Sequence, residues 1–98
     1  MNINNHYDVS KYVFNVIKDK CKYDDDWFYL NQAGEWIYDT NHMKLKTEIM
    51  TTVVNDLIHK SINDIDNDEI SRKLIQLSIK LKDDKYIRAI ISELKQFY

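Results

Sequence analysis

Three histidines, one cysteine and sixteen carboxylates are the side chains of this 98-residue chain from which a reactive site could be built. His6, His42 and His59 stand too far apart for the short ligand spacings of a zinc site, and Cys21 has no second thiol to join it. Asp64-Ile65-Asp66-Asn67-Asp68-Glu69 resembles the opening of a calcium loop. Its sixth position would be Glu69 where glycine is needed, and its twelfth would be Ile75 where a bidentate glutamate is needed. Asp66 and Glu69 read instead as a helix-capping pair, and Asp24-Asp25-Asp26 as a solvated turn. Cys21 lies between Lys20 and Lys22, which would favour a thiolate; a half-buried, inert cysteine at a helix end is the preferred reading. No glycine-rich phosphate loop, Ser-His-Asp pattern or working carboxylate pair is present. The expectation is a segment with no catalytic residue, no metal and no cofactor of its own.

What remains is aromatic and cationic chemistry. Residues 27–38 hold both tryptophans and the single glycine. Trp27, Tyr29, Trp36 and Tyr38 recur at two-residue steps on either side of a polar turn, the pattern of a β-hairpin. Exposed aromatics beside lysines can stack bases. From Asp24 to Asp39, however, there is no Lys or Arg, so these four residues are read as a structural aromatic hairpin, with Trp27 and Trp36 the pins that fasten it to the helices. Positive charge collects later. Residues 1–69 carry seven Lys/Arg against thirteen Asp/Glu, and residues 70–98 seven against three, net charges of −6 and +4. Arg72, Lys73, Lys80, Lys82, Lys85 and Arg88 are the candidate DNA contacts, several of them on one side of the last two helices; a plain solvated face is the preferred reading of the same residues.

The elements that position these groups follow from periodicity. Val9, Tyr12, Val13, Val16 and Ile17 predict a helix from Asp8, its N-cap, to Lys22. The hairpin occupies 27–39. A second helix runs from an N-cap at Thr40 or Asn41 to Lys60, with Leu45, Ile49, Val53 and Leu57 buried and Met50, Val54 and Ile58 widening the stripe. Ile70, Leu74, Leu77 and Leu81, flanked by Ile75 and Ile79, predict a third helix over 67–82. Ile87, Ile90, Ile91, Leu94 and Tyr98 predict a fourth over 84–97, capped by Asp83 or Asp84 and antiparallel to the third. The fold class is α+β, mostly α: a four-helix domain with a β-hairpin between the first and second helices. Absence of proline and near-absence of glycine favour the helical reading. Ninety-eight residues suffice for a single domain with a net stability of roughly 5–10 kcal/mol. A lone cysteine and charges throughout the first twenty residues point to a reducing, intracellular setting without a leader peptide. No apolar run is long enough to span a membrane.

Three segments carry a resemblance. They are His6-Tyr7-Asp8-Val9-Ser10-Lys11-Tyr12-Val13-Phe14; Trp27-Phe28-Tyr29-Leu30-Asn31 followed by Trp36; and Lys80-Leu81-Lys82 with Ile90-Ile91, Glu93 and Phe97-Tyr98. In this order they resemble the domain that precedes the superfamily 3 helicase in the poxvirus-type primase-helicases of large DNA viruses, to which domains of satellite-phage and plasmid primases are related. Where family members often carry a His-Arg pair before the second tryptophan, this chain has Gly34-Glu35, which removes positive charge from the hairpin tip. Ser10 stands where alanine is frequent, a neutral change.

The resemblance implies that residues 1–98 are a piece of a larger viral replication protein, lying between a primase module and a helicase module. It implies a non-catalytic connector or collar that supports subunit assembly, in a hexameric parent, and guides DNA. ATP and magnesium would belong to the parent's helicase module, and the setting would be the host-cell cytoplasm, at a viral replication site, or the nucleus. Two other readings stand beside it: a stand-alone module binding single- or double-stranded DNA through residues 70–98, and a protein–protein adaptor using an exposed aromatic patch.

Overall fold

The computed structural model describes residues 3–63 and 67–98; the capping and calcium-loop readings of Asp64 and Asp66 fall outside them. The first helix, α1 (His6–Ile17), starts one turn earlier than its apolar pattern predicts. Asn5 is its N-cap, its side chain accepting the Asp8 N–H at 2.8 Å. Val9, Tyr12, Val13 and Ile17 form its buried face. The helix stops at Ile17 rather than Lys22 because the next residues enter a strand, β1 (Cys21–Asp24).

The expected hairpin is present as β2 (Asp26–Leu30) and β3 (Trp36–Tyr38), and β1 extends it to a three-stranded antiparallel sheet in the order β1-β2-β3. Asp25, at φ +61°, makes the tight turn between the first two strands; a short polar side chain tolerates that left-handed conformation. The second turn is closed by Asn31, whose N–H reaches Glu35 O at 2.9 Å and whose side chain accepts the Glu35 N–H at 2.9 Å. Gly34 supplies the positive φ this turn requires.

The register decides which aromatics are pins. Cys21 pairs with Tyr29, Tyr23 with Trp27, Tyr29 with Ile37 and Leu30 with Trp36. Successive strand residues point to opposite faces, so Cys21, Tyr23, Trp27 and Tyr29 share the inner face. Lys22, Phe28, Leu30, Trp36 and Tyr38 share the outer one. Trp27 is 1% exposed and Trp36 is 39% exposed. Of the two expected pins, Trp27 faces the helices with Tyr29, whereas Trp36 does not, because the five-residue turn places it and Tyr38 at the opposite parity.

Asp39 caps the next helix. Its two carboxylate oxygens accept the N–H groups of Lys44 and Leu45, each at 2.9 Å, in place of the predicted cap at Thr40 or Asn41. Asn41 and His42 between them adopt φ of 55° and 58°. The rod that follows comprises α2 (Met43–Glu48), a π-helical turn (Ile49–Val53) and α3 (Val54–Asn63). Leu45, Ile49, Val53, Leu57 and Ser61 are all buried, four successive steps of four residues. On a regular α-helix each such step drifts by about 40°, carrying the last position some 160° from the first. The wider π turn absorbs that drift and keeps all five facing the core.

α4 (Asp68–Lys80) is capped by Asn67, whose side chain accepts the Ile70 N–H at 3.3 Å. α5 (Asp84–Leu94) begins after Asp83 and ends in a 3-10 turn, Lys95–Phe97. α4 packs chiefly on α3, and α5 on α1. The last two helices are therefore not each other's main partners, despite the short link between them. The apolar faces explain this: Ile87, Ile90, Ile91 and Leu94 are buried in the main core, whereas Ile75 and Ile79 of α4 stay 46% and 65% exposed. Ile58 and Met50, also expected to widen a stripe, are exposed too. Each fully buried Leu or Ile contributes about 1.5–3 kcal/mol.

Candidate functional site

The three segments that carry the resemblance meet in one aromatic cluster. Phe14 from α1 stacks on Phe97 at 5.6 Å and meets Tyr98 edge-on at 4.9 Å. Tyr7 lies 5.4 Å from Phe97. From the sheet, Trp27 meets Tyr98 at 5.4 Å with the ring planes at 89°. Tyr23 adds a ring 5.1 Å from Trp27, with the Lys95 ammonium 5.2 Å from the Tyr23 centroid. Offset and edge-on pairs of this kind add about 0.5–1.5 kcal/mol each beyond the area they bury. The cluster ties α1, the inner sheet face and residues 97–98 together; its chemistry is cohesion.

Cys21 is fully buried, further in than the half-buried position expected. Burial, helped by the negative charges of Glu48 and Asp39, pushes its thiol from 9.0 up to about 12. Lys20, whose charge acts the other way, pairs with Glu48 at 3.6 Å. A thiol so held is not a nucleophile at neutral pH.

The outer sheet face is an exposed aromatic surface. Phe28 and Tyr38 meet edge-on at 6.1 Å, and the Lys22 ammonium sits 4.7 Å from the Trp36 ring centroid and 5.7 Å from that of Phe28. Sequence reasoning counted Lys/Arg only within 24–39 and so missed Lys22. The apolar-polar-apolar alternation Cys21-Lys22-Tyr23 is the sequence signal that would have revealed its strand. Asp24 and Asp26 lie on this same face, so the aromatic surface is not a cationic one.

The six basic candidates are not brought into one line. Lys73 and Lys80 of α4 both border a cleft beside the start of α1, Lys73 pairing with Glu69 at 3.7 Å and Lys80 lying 6.0 Å from the Tyr86 ring centroid. Arg88 borders a different hollow with His42, Lys46 and Lys95. It is ion-paired with Asp84, which Lys46 also reaches at 3.2 Å; these contacts lower the Asp84 pKa, the Lys46 hydrogen bond most. Arg72, Lys82 and Lys85 are exposed and border neither. His6 and Tyr86, absent from the predicted set, belong to the first cleft.

Among the described residues, no group of three or more His, Cys, Asp or Glu side chains is placed to hold a metal ion, and no helix is long and apolar enough to cross a membrane. Comparison of the chain with models of protein families, with curated proteins and with solved structures finds no match.

Proposed function

We propose that this chain is a connector or collar domain of a viral primase-helicase, a structural unit that joins modules and helps subunits assemble during DNA replication. The observation that carries the reading is the meeting of His6–Phe14, Trp27–Asn31 and Phe97–Tyr98 in one ring cluster. Residues that support the resemblance by their order in the chain also pack as one mechanical unit. A module continuing from Tyr98 would therefore be coupled to α1 and the sheet rather than tethered by a loose linker. The outer sheet face, with Trp36 and Tyr38 exposed, offers an apolar surface suited to a neighbouring domain or subunit.

The test uses the polypeptide that extends through the downstream module. Light scattering with ATP present is expected to give a six-subunit ring that is lost, or forms only at higher concentration, when residues 1–98 are deleted. ATP hydrolysis should persist in the deleted form. A ring of unchanged mass and concentration dependence without residues 1–98 would remove the assembly role. A second reading, direct DNA contact, is favoured by Lys73 and Lys80 sharing one cleft.

A further inference from the structure

We propose that the cleft between the start of α1 and the adjoining faces of α4 and α5 binds a nucleotide unit, with the phosphate at Lys73 and Lys80 and the base against the apolar floor. The cleft encloses about 460 Å³, within the range of small-molecule sites. Its floor is made by Val9, Leu74 and Leu77, all buried. Its cationic rim comes from α4, where Lys73 and Lys80 lie seven residues and thus two turns apart on one face.

One wall is aromatic. The His6 imidazole meets the Tyr86 ring edge-on at 5.4 Å, and Lys80 lies against the same ring. Gln76 at the border offers both a donor and an acceptor. Among the described residues, no carboxylate lines the cleft. Asp8 nearby accepts the Asn4 N–H at 3.2 Å, and Glu69 pairs with Lys73 where both side chains are more than half exposed. Such an exposed pair is weak and gives way to a stronger anion.

Two ammonium groups suit a phosphate dianion better than a single carboxylate. The apolar floor and ring wall need a flat organic body attached to it, which inorganic phosphate lacks. A free nucleotide and one residue of a single strand share this chemistry. The proposal rests on the cleft and not on the connector reading. A strand-type result would give DNA guidance a location; failure here would leave ring assembly untouched.

The experiment is an amide NMR titration of the full chain at low salt with AMP, with an oligothymidylate, and with inorganic phosphate. AMP is expected to shift resonances of Lys73, Leu77, Lys80 and Tyr86 with a Kd of roughly 1 mM or tighter. The double variant Lys73→Gln/Lys80→Gln should weaken AMP about tenfold, while Arg72→Gln/Lys85→Gln, outside the cleft, should not. Inorganic phosphate should bind more weakly than AMP. An oligothymidylate binding tighter than AMP at the same resonances, with a steep salt dependence, identifies a strand as the source; one binding no tighter identifies the free nucleotide. No shifts at roughly 10 mM AMP, shifts undiminished in the cleft variant, or phosphate binding as tightly as AMP would each overturn the proposal.

Discussion

Trp27 and Tyr98, seventy-one positions apart in the chain, meet edge to face with ring centroids 5.4 Å apart. That contact closes the sheet onto the end of the last helix, while Phe14 reaches Tyr98 from the first. Trp27→Ala should cost about 3–5 kcal/mol, the range for removing a buried aromatic. Trp36→Ala, on the outer face, should cost less than about 1 kcal/mol. Urea unfolding of the two variants measures the contrast. Acrylamide should quench Trp36 readily in the native chain and Trp27 poorly.

The difference between these tryptophans shows what the sequence could and could not disclose. Spacing within each strand was legible: Trp27 with Tyr29, and Trp36 with Tyr38. Which pair faced inward depended on the cross-strand register, set by the turn formed by Asn31, Gly34 and Glu35, and no periodicity reports that. The helical stripes at Val9, Val13 and Ile17 and at Ile87, Ile90 and Leu94 were readable because they bury one face over several turns. β1 was not, since Cys21-Lys22-Tyr23 follows lysine-rich residues that also suit a helix end. The basic side chains depend on helix pairing in a related way: burial pairs α4 with α3 and α5 with α1, and of the six only Lys73 and Lys80 border the same cleft.

Alkaline pH should destabilise the fold. Burial raises the pKa of Cys21 to about 12, and it raises those of Tyr98 and Tyr86 above their ordinary value of 10.0. In each case the folded chain retains a proton that the unfolded chain releases. The stabilising contribution is complete below the unfolded pKa and is lost as pH climbs toward the folded one. Unfolding free energy should therefore fall from about pH 9 upward, by about 1.4 kcal/mol per pH unit for each proton fully in play. Denaturant titrations at a series of pH values test this, and a thiol reagent at pH 8 should label Cys21 only as fast as the chain opens.

Asp39 should be worth more than an ordinary surface cap. It is 3% exposed and serves two helical N–H groups at once. Asp39→Ala leaves both donors without an acceptor in a buried setting and should cost about 2–3 kcal/mol. Asp39→Asn keeps one acceptor and should cost roughly half as much. Thermal or urea unfolding of the pair reads the ordering directly.

The π turn makes a prediction about a deletion and an insertion. Removing exposed Thr51 converts the rod to regular α-helix, and the buried positions then follow steps of four and three that an α-helix holds on one face. That deletion should be tolerated with a loss of about 1 kcal/mol or less. Inserting one alanine after Asn55 in α3 instead rotates Leu57 and Ser61 by about 100° away from the core and should abolish cooperative unfolding. Circular dichroism with urea titration compares the two.

The most direct test of the connector reading is the coding sequence that follows Tyr98 in the same frame. The reading predicts an uninterrupted continuation into a helicase module with a Walker-type phosphate loop. A native stop codon immediately after Tyr98 would contradict it.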